Sequence, residues 1–283
     1  MSQDQQAQYN YDRKHLVMGL ATIFLIYGVM AFFMQALNIA RPRIAAELDG
    51  MTLFAWSVSI PGLVSAFVTL LFGKLSDIYG RRIMLLIAVA FGMLGAVLSA
   101  LSTTFVFLIA AISIGSLGMG AMMPLVFAVV GDMFSPVQRS KWIGMLQVPM
   151  GIAAFLGPIV GGFLTDQLGW RYLFWAILPL MVICFILVAM SIPPPLIRDL
   201  KRKIDYMGSV WMILASSSTI IGFSLAGTTY PWGSAPIIGL LGISAIFWAV
   251  FIRTEYRADE PLLDPMVLRN RSFNTIAAVI IMS

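Results

Sequence analysis

The sequence predicts an all-α integral membrane protein, and three observations support this fold class. Of its 283 residues, 60% are hydrophobic and only 11% are charged, whereas a soluble globular chain carries about 25% charged residues. The mean hydropathy is +0.91, and the charged residues stand in short clusters between long charge-free runs. Thirteen acidic and eighteen basic residues could not cover the surface of a water-soluble body of this size.

The charge-free runs give the membrane spans in chain order. They cover residues 16–40, 50–73, 83–131, 142–165, 172–197, 206–252 and 272–283. Because a helix needs about 20 residues to cross the hydrocarbon core, the four runs of 24 to 26 residues provide one span each. The runs of 49 and 47 residues are long enough for hairpins, with predicted turns at residues 102–104 and 227–234. The sequence therefore predicts eight complete spans, none of which contains a charged residue.

The last run and the basic residues complete the predicted topology. Residues 272–283 reach about 18 Å as a helix, too short to cross, so we expect them to begin a ninth span; an interfacial tail is the alternative. A cytoplasmic N-terminus leaves only Arg41, Arg43 and Arg171 of the eighteen Lys and Arg residues outside, as the positive-inside rule requires. We therefore expect a multi-pass protein of the cell membrane with its N-terminus in the cytoplasm.

Composition also argues against several classes of function. The net charge of +5 matches the basic cytoplasmic loops of a membrane protein, so we expect no nucleic-acid partner. The single cysteine, Cys184, and the single histidine, His15, provide neither a disulfide framework nor a metal site. No span carries a combination of acid, base and nucleophile. We therefore expect no enzyme activity, no metal and no cofactor.

One short pattern occurs twice, 89 positions apart, in loops between spans. The first copy is Gly73, Asp77, Gly80 and Arg82, and the second is Gly162, Asp166, Gly169 and Arg171. Three predicted spans separate the copies, so the two loops lie on opposite sides of the membrane. This favours a three-helix unit repeated in inverted orientation, which many secondary transporters use. Chance agreement between two short loops is the alternative.

The chain resembles a known family, the major facilitator superfamily. Residues 73–82 resemble its signature loop, with Gly73, Asp77, Gly80, Arg81 and Arg82 at the matching positions. The loop after the fourth span is matched by Asp132 and by residues 135–139, which end at Arg139. The antiporter motif of the fifth span is matched by Gly151, Gly157, Pro158, Gly161 and Gly162. The start of the sixth span is matched by residues 170–174.

Further matches narrow the resemblance to the fourteen-span drug:proton antiporter branch, whose two extra central helices are flanked by similar segments. Those segments are residues 204–208, 230–232, 260–264 and 269–273. The resemblance implies a tail (1–15), a six-helix bundle of inverted three-helix repeats (16–192), a basic loop (193–205), two linker helices (206–252), and a loop with the truncated start of a ninth helix (253–283). The C-terminal bundle is missing from this organisation, and we expect transport to need it.

Polar residues inside the spans predict where a substrate cavity lies. Gln35 and Asn38 share one face of the first helix, and Gln147 lies in the fifth span. The expected soft, apolar wall consists of Met30, Phe33, Met34, Met145 and Met150. Hydrogen bonds to neighbouring helices are the alternative role for the three polar residues.

The resemblance also implies devices for conformational change. Pro158 has no N–H, so the carbonyl of Ala154 loses its helical partner and a bend is expected there. The spacing of Gly157 and Gly161 favours close approach of two helices. A charge cluster of Asp77, Arg81 and Arg82 with Asp132 is expected to hold one conformation closed.

The chain departs from the family at the positions associated with proton coupling. The family typically has an Asp where this chain has Phe33 or Met34, and an Arg and a Gln where it has Ile112 and Gly115. Proton coupling therefore stays open at the level of sequence.

The sequence thus predicts a secondary transporter that exports amphipathic small molecules or drugs by alternating access. Its expected partners are a small-molecule substrate and membrane lipid, with protons as a further candidate. Two alternatives remain: an uncoupled carrier on the same fold, and a membrane-embedded binding or sensor protein.

Overall fold

The computed structural model describes residues 13–192, 206–227 and 229–257. It forms two compact units, residues 1–199 and 200–283. Residues 1–12 of the predicted tail (1–15), the basic loop at 193–205 and the start of a ninth helix at 272–283 lie outside the described residues, and residues 13–15 belong to the first helix.

The described part of the first unit consists of helices joined by short turns. The α-helices are α1 (Arg13–Glu47), α2 (Phe54–Tyr79), α3 (Arg81–Ala100), α4 (Phe105–Met133), α5 (Pro136–Met145), α6 (Gln147–Gln167) and α7 (Arg171–Ser191). A short 3-10 turn at Met51–Leu53 leads into α2. The second unit contributes α8 (Tyr206–Leu225) and α9 (Ala235–Glu255).

Eight described segments are long and apolar enough to cross a membrane, which confirms the predicted number of spans. Both predicted hairpin turns are also confirmed, since α3 ends at Ala100 before α4 begins at Phe105, and α8 ends at Leu225 before α9 begins at Ala235. Thr104 caps α4 by accepting a hydrogen bond from the backbone N–H of Phe107.

Helix α1 extends beyond the charge-free run of residues 16–40 that predicted its span. This helix continues past Ala40 through Arg41, Pro42 and Arg43 to Glu47. Pro42 lacks an N–H and therefore removes one helical hydrogen bond, but a membrane helix packed among neighbours tolerates that loss. As a result, a guanidinium group lies on the helix where the sequence predicted a loop.

The fifth span contains a break that the sequence did not predict. It runs from Gln138 to Gln167 as one membrane-length segment, but Leu146 separates α5 from α6. Pro149 lies in the first turn of α6, where its missing N–H costs no helical hydrogen bond, whereas in a continuous helix it would remove one. The break therefore occurs where proline is tolerated best.

Glycines bring α3 and α4 into backbone contact at the centre of the first unit. A methyl group added at Gly95 would lie 2.2 Å from the Cα of Gly115, and one added at Gly118 would lie 2.1 Å from the carbonyl oxygen of Ala88. Both distances are shorter than any real carbon contact. Small residues at these positions allow the two helices to cross with no side chain between them.

Hydroxyl groups join other helix pairs. In the first unit, the buried hydroxyls of Thr22 on α1 and Ser191 on α7 lie 2.8 Å apart. In the second unit, the indole N–H of Trp248 donates to Thr219 Oγ1 at 3.1 Å, and Thr219 Oγ1 lies 2.5 Å from Ser244 Oγ. The α8–α9 hairpin is thus held by a polar contact in addition to apolar packing.

Candidate functional site

A cavity of about 230 Å³ opens between α1, α2, α3, α4 and α7 of the first unit. Its wall is mostly apolar, with thioether and aromatic side chains. The bulky apolar residues are Met30, Phe33, Met34, Leu37, Val58, Pro61, Ile112, Met119, Phe174 and Met181. The polar residues are Arg41, Ser65, Ser99 and Ser116, and the remaining positions are Gly62, Gly92, Gly95, Ala96 and Gly115.

The cavity extends from the middle of the unit towards one of its ends. Helix α3 begins after the turn at Gly80 and ends at the turn of residues 101–104, so these turns mark opposite ends. We call them the signature end and the far end. Met30, Gly92 and Met119 lie near the middles of their helices, whereas Arg41 and Ser99 lie towards the far end.

The three polar residues predicted for a substrate cavity do not line this one. Gln35 faces α6, because a methyl group added at Gly157 would lie 2.6 Å from its Cβ. Asn38 is exposed and accepts a hydrogen bond from Arg41 Nη1 at 3.2 Å. Gln147 is exposed at the start of α6. Of the five predicted wall residues, Met30, Phe33 and Met34 line the cavity and Met145 and Met150 do not.

The cavity contains the positions at which the chain departs from the family it resembles. Phe33, Ile112 and Gly115 all line it, although they come from two helices. In place of the acid and the arginine expected there, the described lining carries a single charged group, the guanidinium of Arg41.

Arg41 and Ser99 are among the cavity residues that sequence reasoning missed. Arg41 was assigned to a loop because charge-free runs were used to bound the spans. The arginine-proline-arginine sequence at residues 41–43 gave no sign that the helix continues. Ser99 lies in the predicted hairpin only three residues before the turn, and a serine there has many ordinary roles.

The signature loop forms an ion-pair network between two helix ends. Arg81, the first residue of α3, pairs with Asp77 on α2, and its Nε lies 3.0 Å from Asp132 Oδ2 at the end of α4. Arg81 also donates to the hydroxyl of Ser76. The network therefore fastens the α2–α3 turn to α4.

The remaining residues predicted for the signature loop and the charge cluster take no part in the Arg81 ion pairs given above. Gly80 has φ +94°, a conformation that glycine adopts without strain and that ends α2. Gly73 lies inside α2, where its carbonyl accepts a hydrogen bond from Ser76, and Arg82 is half-buried at the second position of α3. Arg139 on α5 donates to the carbonyl of Gly131 near the end of α4.

The second copy of the repeated pattern forms a network at the far end. Gly169 has φ +98°, close to the value at Gly80, and Asp166 pairs with Arg43 on α1. Arg43 also pairs with Glu47, and Glu47 accepts a hydrogen bond from Trp170 Nε1 at 2.9 Å. The two turns thus share a positive-φ glycine while lying at opposite ends of the first unit, as expected for an inverted repeat.

The glycines of the fifth-span motif differ in whether they contact α1. A methyl group added at Gly161 would lie 2.7 Å from the Cα of Ala36 on α1, so Gly161, like Gly157, allows a close crossing of α1 and α6. Gly151 has no atom within 4 Å of such a methyl group, and at Gly162 the nearest is Ile39 Cγ2 at 3.9 Å. Pro158 lies inside α6, between the two glycines that face α1.

Comparison with known proteins assigns the fold to a family. The family model of the Major Facilitator Superfamily matches residues 23–253. The chain belongs to the major facilitator superfamily. This membership, together with the eight apolar helices among the described residues, makes the chain a multi-pass membrane protein of a transporter family.

Curated relatives of this major facilitator chain include transporters from bacteria and fungi. It is 30% identical over 262 residues to Multidrug resistance protein 3 of Bacillus subtilis, covering 90% of this chain and 51% of that protein. It is 34% identical over 264 residues to Efflux pump dotC of Dothistroma septosporum, covering 90% of this chain and 46% of that pump. The chain therefore spans about half the length of the curated relatives it matches.

Solved structures agree on the fold. A peptide transporter POT crystallised with sulfate aligns with a TM-score of 0.59 and 20% identity, covering 92% of this chain and 57% of the other. At this identity the likeness concerns the fold alone.

Proposed function

We propose that this chain carries a substrate-binding bundle of an efflux transporter that exports amphipathic small molecules by alternating access. The observation that carries the proposal is the cavity of about 230 Å³ in the first unit, with its wall of methionine and phenylalanine. Thioether side chains adapt to ligands of different shape, which suits a transporter of several compounds. The names of the relatives, a multidrug resistance protein and an efflux pump, support the same direction of transport.

The proposal also includes a second bundle, the membrane topology and the domain boundaries. Alternating access needs a second bundle that rocks against the first around a central site, so transport requires a C-terminal bundle. The distribution of Lys and Arg favours the cell membrane with a cytoplasmic N-terminus. The domain boundaries given by the resemblance are part of this proposal, with residues 206–252 as the two linker helices.

We assign conformational roles to two features outside the cavity. The Asp77–Arg81–Asp132 network holds the α2–α3 turn against α4 and stabilises one state of the transporter. The close crossing at Gly157 and Gly161, with Pro158 between them, lets α6 bend against α1 and limits leakage between states.

Coupling to protons is the open part of the mechanism. A carrier usually moves protons through an ionisable group placed in its pathway, and the described lining of this cavity contains no carboxylate. Dye efflux that persists after a protonophore collapses the gradient would assign an uncoupled carrier. Efflux that stops would place the proton-carrying group elsewhere in the protein.

A cavity-filling substitution tests the proposed function. Gly62 lines the cavity and has no atom within 4 Å of an added methyl group, so Gly62→Phe places a ring in the cavity without forcing the backbone. We expect at least a tenfold loss of efflux in cells that express the full-length protein and are loaded with a panel of neutral and charged fluorescent dyes.

The matched control is Gly239→Phe. Gly239 lies in α9 of the second unit and also has no atom within 4 Å of an added methyl group, so we expect its efflux to stay near the wild-type level. If Gly62→Phe leaves the efflux of every exported dye unchanged, the cavity is not the substrate site.

A further inference from the structure

The guanidinium of Arg41 lies at the wall of an otherwise apolar cavity. Its Nη1 donates to Asn38 Oδ1 at 3.2 Å. Its Nε is buried and has no hydrogen-bond partner among the described residues. A cationic group in apolar surroundings without a counter-ion is unfavourable, so an anion close to the guanidinium would stabilise it.

A second unsatisfied donor lies on the same wall. Ser99 is 1% exposed, and its Oγ is buried without a hydrogen-bond partner among the described residues. Many serines in membrane helices donate to a carbonyl of their own helix, as Ser116 does to Ile112 in this cavity at 2.9 Å. Ser99 and Arg41 come from different helices, α3 and α1, yet both line this one cavity.

The nearby carboxylates are engaged by a different arginine. Arg43, two residues beyond Arg41, pairs with Glu47 and with Asp166. No carboxylate belongs to the described lining of the cavity. The charge that Arg41 brings to the wall therefore has no protein counter-ion in the described lining.

The remainder of the wall limits the polarity and size of the part of the ligand that carries no charge. Met30, Phe33, Phe174 and Met181 present apolar surface, and the volume of about 230 Å³ is below the range of roughly 300–1,000 Å³ for sites that hold drug-sized ligands. A small aromatic or aliphatic body fits this space better than a large drug.

We propose that this cavity binds small amphipathic organic anions, with a carboxylate or sulfonate lying close to the positive charge of Arg41 and the apolar body lying against the methionine and phenylalanine wall. The inference rests on the proposed export function and specifies the charge and size of its substrates. It also opposes a preference for cations, because a cation entering this cavity would meet the unpaired charge of Arg41.

Binding of a matched ligand series tests the inference. The purified full-length protein in phosphatidylcholine nanodiscs is equilibrated with 1-naphthoate, its neutral amide 1-naphthamide, and the cation 1-naphthylmethylammonium. We expect 1-naphthoate to bind at least tenfold more tightly than the cation. Arg41→Gln should weaken naphthoate binding at least tenfold while changing naphthamide binding less than twofold.

Control substitutions separate the effect of the cavity residue Arg41 from that of the neighbouring Arg43. Arg43→Gln removes an arginine two residues away that already has protein partners, so we expect naphthoate binding within twofold of wild type. Arg41→Lys keeps the positive charge and should retain measurable naphthoate binding, which keeps the test valid if Arg41→Gln does not fold. Equal binding of the three ligands, or equal losses in Arg41→Gln and Arg43→Gln, would overturn the inference.

Two further measurements separate the small-anion site from a lipid site and from the export function. If nanodiscs containing phosphatidylglycerol abolish naphthoate binding to wild type, a lipid headgroup fills the site and the small-anion inference is wrong. Naphthoate binding that depends on Arg41 but is not followed by export would support the anion site and count against the efflux function. Dye efflux that is sensitive to Gly62→Phe, combined with naphthoate binding that is insensitive to Arg41→Gln, would support the efflux function and overturn the anion site.

Discussion

Glu47, the last residue of α1, connects a surface ion pair with a buried aromatic ring. Its carboxylate lies 3.2 Å from Arg43 Nε and accepts a hydrogen bond from Trp170 Nε1 at 2.9 Å. The side chains of Arg43 and Glu47 are 47% and 44% exposed, and exposed pairs of this kind contribute about 0–1 kcal/mol. Trp170 is 1% exposed, so its indole N–H depends on Glu47 for an acceptor.

Two substitutions of Glu47 should therefore differ in effect. Glu47→Ala leaves the buried indole N–H unpaired and should lower the free energy of unfolding by about 1–3 kcal/mol. Glu47→Gln keeps an acceptor oxygen and loses only the exposed ion pair, so we expect a loss below about 1 kcal/mol. Denaturant titrations of both variants in the same detergent measure the difference, and equal losses would show that the charge matters more than the indole contact.

At the scale of elements, the crossing of α1 and α6 depends on two glycines one helical turn apart. Added methyl groups at Gly157 and Gly161 would lie 2.6 Å from Gln35 Cβ and 2.7 Å from Ala36 Cα. The first obstacle is a side-chain atom and the second belongs to the backbone. Because a Cβ atom is fixed by its own backbone, a larger residue at either position requires the neighbouring helix to move.

A larger residue at Gly161 should separate the two helices. We expect Gly161→Leu to lower the free energy of unfolding by about 1–3 kcal/mol, the usual cost of overpacking. Gly151→Leu places the same side chain on the same helix, where no atom lies within 4 Å of an added methyl group, and should change stability by less than about 1 kcal/mol. Thermal unfolding in detergent compares them, and indistinguishable melting curves would contradict the close crossing.

At the scale of the whole first unit, the inverted repeat relates its two ends. Asp132 at the end of α4 and Arg43 near the end of α1 are 89 positions apart, like the two copies of the loop pattern. Each pairs with the turn that belongs to the other three-helix repeat, Asp132 with Arg81 and Arg43 with Asp166. The arrangement is the same at both ends, although the charges are exchanged between helix end and turn.

The turn glycines provide a test of this symmetry. Gly80 and Gly169 have φ of +94° and +98°, so Gly80→Ala and Gly169→Ala should each lower the free energy of unfolding by about 1–3 kcal/mol. The turns lie at opposite ends of the unit, and the losses should add in the double variant to within about 0.5 kcal/mol. Gly73→Ala, inside α2 with no atom within 4 Å of the added methyl group, is the control. If Gly169→Ala does not lower the free energy of unfolding while Gly80→Ala does, the two turns are not equivalent and the predicted symmetry is wrong.

The sequence predicted the spans and hairpin turns because charges are excluded from the hydrocarbon core, so their spacing records where helices cross. The same reasoning failed for α1, since it equated the first charged residue with the end of the helix and so assigned Arg41 to a loop. Gln35 and Gln147 were predicted to line a substrate cavity and do not line the cavity described here. Helices that are apolar on nearly all sides carry no periodic pattern, and the face that lines a cavity is then set by packing, here by the glycines of α6.

The contact between Gly95 and Gly115 limits how the first unit moves. Sliding of one helix along another proceeds by many small adjustments of side chains at their interface. Where α3 and α4 cross, a glycine backbone lies directly against a glycine backbone, so no side chain is available to adjust. A shift along either helix axis would drive this contact into the larger residues on each side. We therefore expect α3 and α4 to keep their relative position, and changes of shape in this unit to come from its other helices.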